Sequence, residues 1–74
     1  MPKLPVLTPQ NLVKALERAG FALLRVRGSH YYYYNRQTDR IAVVPFHSRD
    51  IRKGTLHAIL KDADIDLEEL QGLL

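Results

Sequence analysis

The stretch between Gly20 and Pro45 constrains the fold most, because turn formers cut it into three pieces too short and too β-rich for helices. Residues 21–27 are largely apolar and end in Arg25-Val26-Arg27. Gly28 then permits a sharp reversal. Residues 29–34 carry four consecutive tyrosines, Tyr31 to Tyr34, and read as a second strand. The polar turn 35–39 leads to a third strand over 40–44, which Pro45 stops or marks as an edge. Connections this short permit only antiparallel neighbours, so the three strands are expected to form a meander.

A helix is expected on each side of this unit. Thr8-Pro9 pairs a hydroxyl N-cap with proline at the first helical position. Leu12, Val13, Leu16 and Ala19 recur at helical spacing, with Lys14, Glu17 and Arg18 opposite them, and Gly20 supplies the stop. Residues 1–7, with Pro2 and Pro5, form an extended lead-in. After a loop over 46–52, a second helix spans Lys53–Ala63 on Leu56, Ile59 and Leu60. Asp64-Ile65 is a break. Asp66 then caps a last helical turn, with Glu69 at capping-box spacing and Leu67, Leu70, Leu73 and Leu74 free to pack back. The expected fold class is α+β: a three-stranded antiparallel sheet with helices on one face and a short C-terminal helical turn.

At 74 residues the chain is one domain, 1–74, burying only about 60% of its unfolded surface. It has little room for both a core and a deep cofactor cavity, and it holds no Gly-x-Gly-x-x-Gly or Walker-type lysine loop. The absence of cysteine removes disulfides, thiolate zinc sites and thiol nucleophiles. No stretch approaches the ~20 apolar residues of a membrane span. Residues 1–5 do not read as a secretory leader. The expectation is a soluble cytoplasmic protein.

Charge is unevenly placed. From residue 61 onward one basic residue faces five acidic ones, a balance of −4, whereas the preceding residues carry ten basic against three acidic, a balance of +7. A basic body suits a polyanionic partner, and nucleic acid is the commonest.

Four features could carry chemistry. Gly28-Ser29-His30 places a histidine just after a turn, with Arg25 and Arg27 before it to hold a phosphate. An imidazole titrating near pH 6.5 suits proton transfer. RNA cleavage needs little more, because the ribose 2′-hydroxyl is the nucleophile and no metal is required. Val44-Pro45-Phe46-His47 places a second histidine in a loop that could approach the first. Arg52, Lys53, Gly54 and Thr55 open the second helix with donors and positive charge where a helix start attracts anions. In the tyrosine strand, His30, Tyr32 and Tyr34 share one face while Ser29, Tyr31 and Tyr33 share the other, so one tyrosine pair packs and one stays open for stacking or docking. Each feature also has a structural explanation: a local hydrogen bond, a surface loop, solvated charge, sheet packing. His30, His47 and His57 show no i, i+4 pair, so no metal site is expected.

Taken in order, Ala19-Gly20-Phe21, Arg25-Val26-Arg27-Gly28-Ser29-His30, Val44-Pro45-Phe46-His47 and Lys53-Gly54-Thr55-Leu56-His57-Ala58-Ile59-Leu60-Lys61 resemble the HicA toxins, the small mRNA interferases of HicA–HicB toxin–antitoxin pairs. The resemblance covers roughly residues 8–70. It implies a double-stranded-RNA-binding-like α-β-β-β-α fold, an mRNA-cleaving endoribonuclease and a cognate HicB-like antitoxin that masks the active surface; the 2′-hydroxyl chemistry adds that no metal or other cofactor is expected. The family's catalytic histidine falls on His30. From the residues themselves, Gly28, Ser29 and His47 are expected in supporting roles, and Arg25, Arg27, Lys53 and Thr55 are expected to bind RNA phosphate. Where the family often has glycine after the second helix, this chain has Asp64, which tolerates the left-handed conformation. Two other readings stand beside this one: a non-catalytic RNA-binding module of the same fold, and a protein-interaction module using the tyrosine face.

Overall fold

The computed structural model describes residues 3–74, so the expected contribution of Pro2 to the lead-in lies outside the described residues. The elements run α1 (Pro9–Arg18), β1 (Ala22–Arg27), β2 (His30–Asn35), β3 (Arg40–Pro45), α2 (Lys53–Ala63) and α3 (Leu67–Leu73). The strands form one antiparallel sheet in the order β1-β2-β3. This is the expected α+β architecture, with small shifts at the strand ends. Phe21 precedes β1 and is buried, Ser29 belongs to the turn, Asn35 completes β2, and Pro45 is paired as the last residue of β3. Proline is tolerated there because β3 is an edge strand.

Both long helices close with the same pair of hydrogen bonds. At the end of α1 the Gly20 N–H donates to the Glu17 carbonyl and the Phe21 N–H to the Leu16 carbonyl, with Gly20 at φ 102°. At the end of α2 the Asp64 N–H donates to Lys61 and the Ile65 N–H to Leu60, with Asp64 itself left-handed at φ 59°. These are Schellman closures, and each returns the chain by burying the next residue, Phe21 or Ile65. Thr8 caps α1 by accepting from the Asn11 N–H, and Asp66 caps α3 by accepting from the Glu69 N–H at 2.7 Å.

The core lies between the helices and the inner sheet face. Leu12, Ala15 and Leu16 of α1 and Leu56, Ile59 and Leu60 of α2 meet Tyr33, Ala42 and Val44 of the sheet. Leu70 of α3 completes it, and the Arg18 guanidinium donates to the Leu73 carbonyl to tie α3 to α1. Leu74 does not pack back as expected, since half its surface stays exposed. Asn35 is the one buried polar residue among those described. Its amide donates to the Ala19 carbonyl, and its oxygen accepts from the Gln37 and Thr38 N–H groups. Every polar atom of that side chain is thereby used, and the β2–β3 turn is fastened to the end of α1.

Candidate nucleic-acid interface and active site

Two local devices decide which side chains reach the open face of the sheet. The first is the turn Gly28-Ser29. Gly28 has φ 60° and Ser29 does not have a positive φ, the sign pattern of a type II′ hairpin, which calls for glycine at the first loop position. The turn pairs Arg27 directly with His30. The second is a β-bulge. Leu23 pairs with Tyr33 and Arg25 with Tyr32, so Leu24 is an extra residue. Leu23 stays on the inner face with Tyr33, while Arg25 and Arg27 come to lie on the outer face with Tyr32 and His30.

Directly opposed residues in an antiparallel pair share a face. The outer face therefore carries Arg25 and Arg27 from β1, His30, Tyr32 and Tyr34 from β2, and Ile41, Val43 and Pro45 from β3. No helix covers it among the described residues, and His30 is exposed. Tyr31 and Tyr33 are the tyrosines that pack inward. The Arg25 guanidinium lies 4.6 Å above the Tyr32 ring, a cation–π contact that presents a flat, charged surface beside the histidine. At the far end of the strand the Tyr34 hydroxyl donates to the Asp39 carboxylate at 2.8 Å, which raises the Tyr34 pKa.

His30 also pairs with Pro45, and Pro45 lines a cleft of about 470 Å³ next to it. His47, Ser48, Arg49, Asp50, Arg52 and Thr55 form much of its wall, two guanidinium groups against one carboxylate. The loop 46–52 that shapes the cleft is held at several points. The Phe46 N–H donates to the Ser29 carbonyl at 2.7 Å, and the Phe46 ring stacks on Tyr31 with centroids 4.3 Å apart. The Arg49 N–H donates to Nδ1 of His47. Ile51 is buried, and its N–H donates to the Leu7 carbonyl. With Nδ1 accepting, neutral His47 carries its proton on Nε2, the nitrogen left free to donate.

The cleft ends at the start of α2. Its N-cap residue, Arg52, makes no side-chain capping bond, so the first amide donors of α2 lack a side-chain partner. The first turn holds no acidic residue to offset the dipole. An anion is the chemical complement of such a place.

Of the residues singled out from the sequence, Arg25, Arg27 and His30 come together on the outer face, with Gly28 and Ser29 forming the turn between them. His47 and Thr55 come together in the cleft, joined to His30 through Pro45. Lys53 is exposed at the first position of α2 but does not line the cleft. Arg52, expected at the anion-attracting helix start, lines it, and so does Arg49, to which the sequence alone assigned no role. For Arg49 the signal was available: it stands three residues before Arg52 in the loop that joins the second histidine to the helix start.

The family model for the HicA toxin of bacterial toxin–antitoxin systems matches residues 9–65, which include α1, the whole sheet and α2. No curated protein matches the chain.

Proposed function

The chain belongs to the HicA toxin family of toxin–antitoxin systems, and from that premise we propose that it is the toxin of a type II pair, an mRNA-cleaving endoribonuclease that uses His30 as its single general acid–base group and needs no metal. The observation that carries this reading is the direct pairing of Arg27 with His30 on an open, basic sheet face. A proton-transfer group and a fixed positive charge stand side by side where a phosphodiester can reach both.

The substrate brings its own nucleophile. The 2′-hydroxyl oxygen bonds to phosphorus as its proton passes to the His30 imidazole, the P–O5′ bond breaks to leave a 2′,3′-cyclic phosphate, the departing 5′-oxygen takes a proton from water, and the imidazolium returns its proton to the hydroxide so formed. Arg27 faces the negative charge that builds on the phosphoryl oxygens, the term that is usually largest in such reactions. Arg25, stacked on Tyr32, offers its outer plane to an unpaired base. A neighbouring phosphate sits in the cleft against Arg49, Arg52, Thr55 and the free amides of α2, with Nε2–H of His47 as a further donor. Lys53 adds positive potential at its rim. General acid–base help supplies about 10²–10⁴-fold, so turnover is slow, yet one cut inactivates a message.

RNA cleavage by the purified chain in excess chelator, wild type against His30→Ala, tests the proposal. Equal cleavage by the two removes His30 from the chemistry. RNA binding without cleavage by the wild type favours the non-catalytic RNA-binding module.

A further inference from the structure

The strand that bears Arg25 and Arg27 is itself incompletely packed. β1 is the outermost strand, and all six of its residues are exposed. α1 and α2 lie against β3, at the other side of the sheet. Leu23 and Val26 point to the inner side, paired with Tyr33 and Tyr31, yet each keeps 49% of its surface exposed. Leu24, at the bulge, keeps 54%. Three of the large apolar residues most exposed in the described chain thus fall within four positions of one edge strand. Along the same edge the backbone groups that point away from β2 have no strand beside them among the described residues.

We infer that β1 is a docking edge for an extended segment of a partner protein, added as a fourth strand, whose side chains alternate between acidic and apolar. The two faces of β1 dictate that alternation. On the outer face the added strand lies about 4.8 Å from Arg25 and Arg27, where acidic residues complement them. On the inner face, one residue along, apolar side chains cover Leu23 and Val26 and extend the sheet's buried surface. Backbone hydrogen bonds supply affinity and the alternating side chains supply selectivity. A second copy of this chain is the wrong occupant, because pairing β1 with its own copy sets Arg25 and Arg27 against the same arginines. The inference rests on the family reading only for the existence of an antitoxin partner, and it does not depend on the nuclease reading.

The test is an amide NMR titration of the ¹⁵N-labelled full chain with a blocked peptide alternating glutamate and valine, long enough to span β1. Shifts concentrated in β1 are expected, and N-methylation of the peptide's pairing edge should weaken binding at least about tenfold, the cost of roughly two lost hydrogen bonds. The Arg25→Glu/Arg27→Glu double variant should exchange its preference for a lysine–valine peptide. Val26→Lys, on the inner side and outside the RNA surface, should weaken the glutamate–valine peptide about tenfold while leaving RNA cleavage unchanged. No binding, or equal binding of the N-methylated peptide, overturns the inference. None of these readouts requires catalysis, so a failure of the nuclease reading is seen separately.

Discussion

Arg27 and His30 stand directly opposite one another at the closed end of the β1–β2 hairpin, joined by the two-residue turn Gly28-Ser29. The pairing fixes the relative position of a guanidinium and an imidazole through backbone register alone. Neither side chain makes a hydrogen bond or ion pair within the described chain, so both remain available to a substrate.

Gly28→Ala tests how much the hairpin matters. A Cβ at Gly28 meets nothing within 4 Å, so the substitution introduces no clash. The left-handed φ of 60° remains, and an L side chain there costs about 1–2 kcal/mol. The expected outcome is a lower urea midpoint of that order, with cleavage reduced more than stability accounts for, because the Arg27–His30 geometry relaxes. Unchanged cleavage would show that the turn does not position the site.

Arg27 and His30 have separable roles. His30→Ala should reduce cleavage by about 10²–10⁴-fold and leave the fold intact, since His30 is exposed. Arg27→Lys keeps the charge but loses the planar fork that grips phosphate in two places. It should reduce cleavage less than His30→Ala and leave the shape of the pH–rate profile unchanged. Single-turnover cleavage across pH measures both.

The loop 46–52 offers a third test. Phe46 is half-buried against Tyr31 and is the first fixed point after β3. Phe46→Leu keeps apolar bulk but removes the ring stacking, worth about 0.5–1.5 kcal/mol. A stability loss of that size is expected, together with weaker RNA binding as the wall bearing His47 and Arg49 loosens. Filter binding at two salt concentrations would show the weakening at both.

How much of this was readable beforehand follows from the range of the interactions. The helix caps at Thr8 and Asp66, the stops at Gly20 and Asp64 and the turn at Gly28 are local devices, and each was legible in its own few residues. The period-2 pattern also separated Tyr31 and Tyr33 from Tyr32 and Tyr34. It could not say which pair faces the helices, because that depends on contacts across the fold. The bulge at Leu24 was invisible for a related reason: strict alternation puts Leu23, Arg25 and Arg27 on one face, and only pairing with β2 moves Leu23 to the other. Asn35 read as a turn residue; it is the last residue of β2, and its side chain accepts from the Gln37 and Thr38 N–H groups of the turn. Its second role, receiving the end of α1, is a contact between residues far apart in sequence. In the candidate site the histidine and the arginines beside it were legible because they adjoin the turn. The cleft as a whole was not, because the helix start at Arg52 and the His47 loop are brought together only when contacts from Leu7, Ser29 and Tyr31 fix the loop.

Asp64 supplies a prediction about stability alone. It holds a left-handed conformation at φ 59° and lies 4.0 Å from the Arg40 guanidinium in an exposed pair. Exposed pairs of this kind contribute little, so backbone strain should dominate. Asp64→Val, with a β-branched side chain at positive φ, should lower stability by about 1–2 kcal/mol. Asp64→Asn should stay within about 0.5 kcal/mol, since asparagine also tolerates that region. Equal losses in the two would mean that the ion pair with Arg40, not the backbone, sets the effect.

Tyr33 predicts how stability depends on alkaline pH. It is 4% exposed, and its pKa is raised above the ordinary 10 by burial first, with the nearby Glu17 and Tyr31 adding to it. In the unfolded chain the phenol ionises near 10, whereas in the folded chain it stays protonated to higher pH. The folded state therefore binds the proton more tightly. That contribution is fully present below pH 10 and is lost as pH rises through the folded value, so stability must fall with a slope on the order of 1 kcal/mol per pH unit in that window. Tyr34 acts in the same direction through its bond to Asp39, but it lies on the open face. Tyr33→Phe removes the buried phenol and keeps the ring against the core. The variant should unfold at nearly the wild-type urea midpoint at about pH 8 and at a higher midpoint than wild type at about pH 11. Parallel loss of stability in both proteins over that range would assign the alkaline transition to other groups.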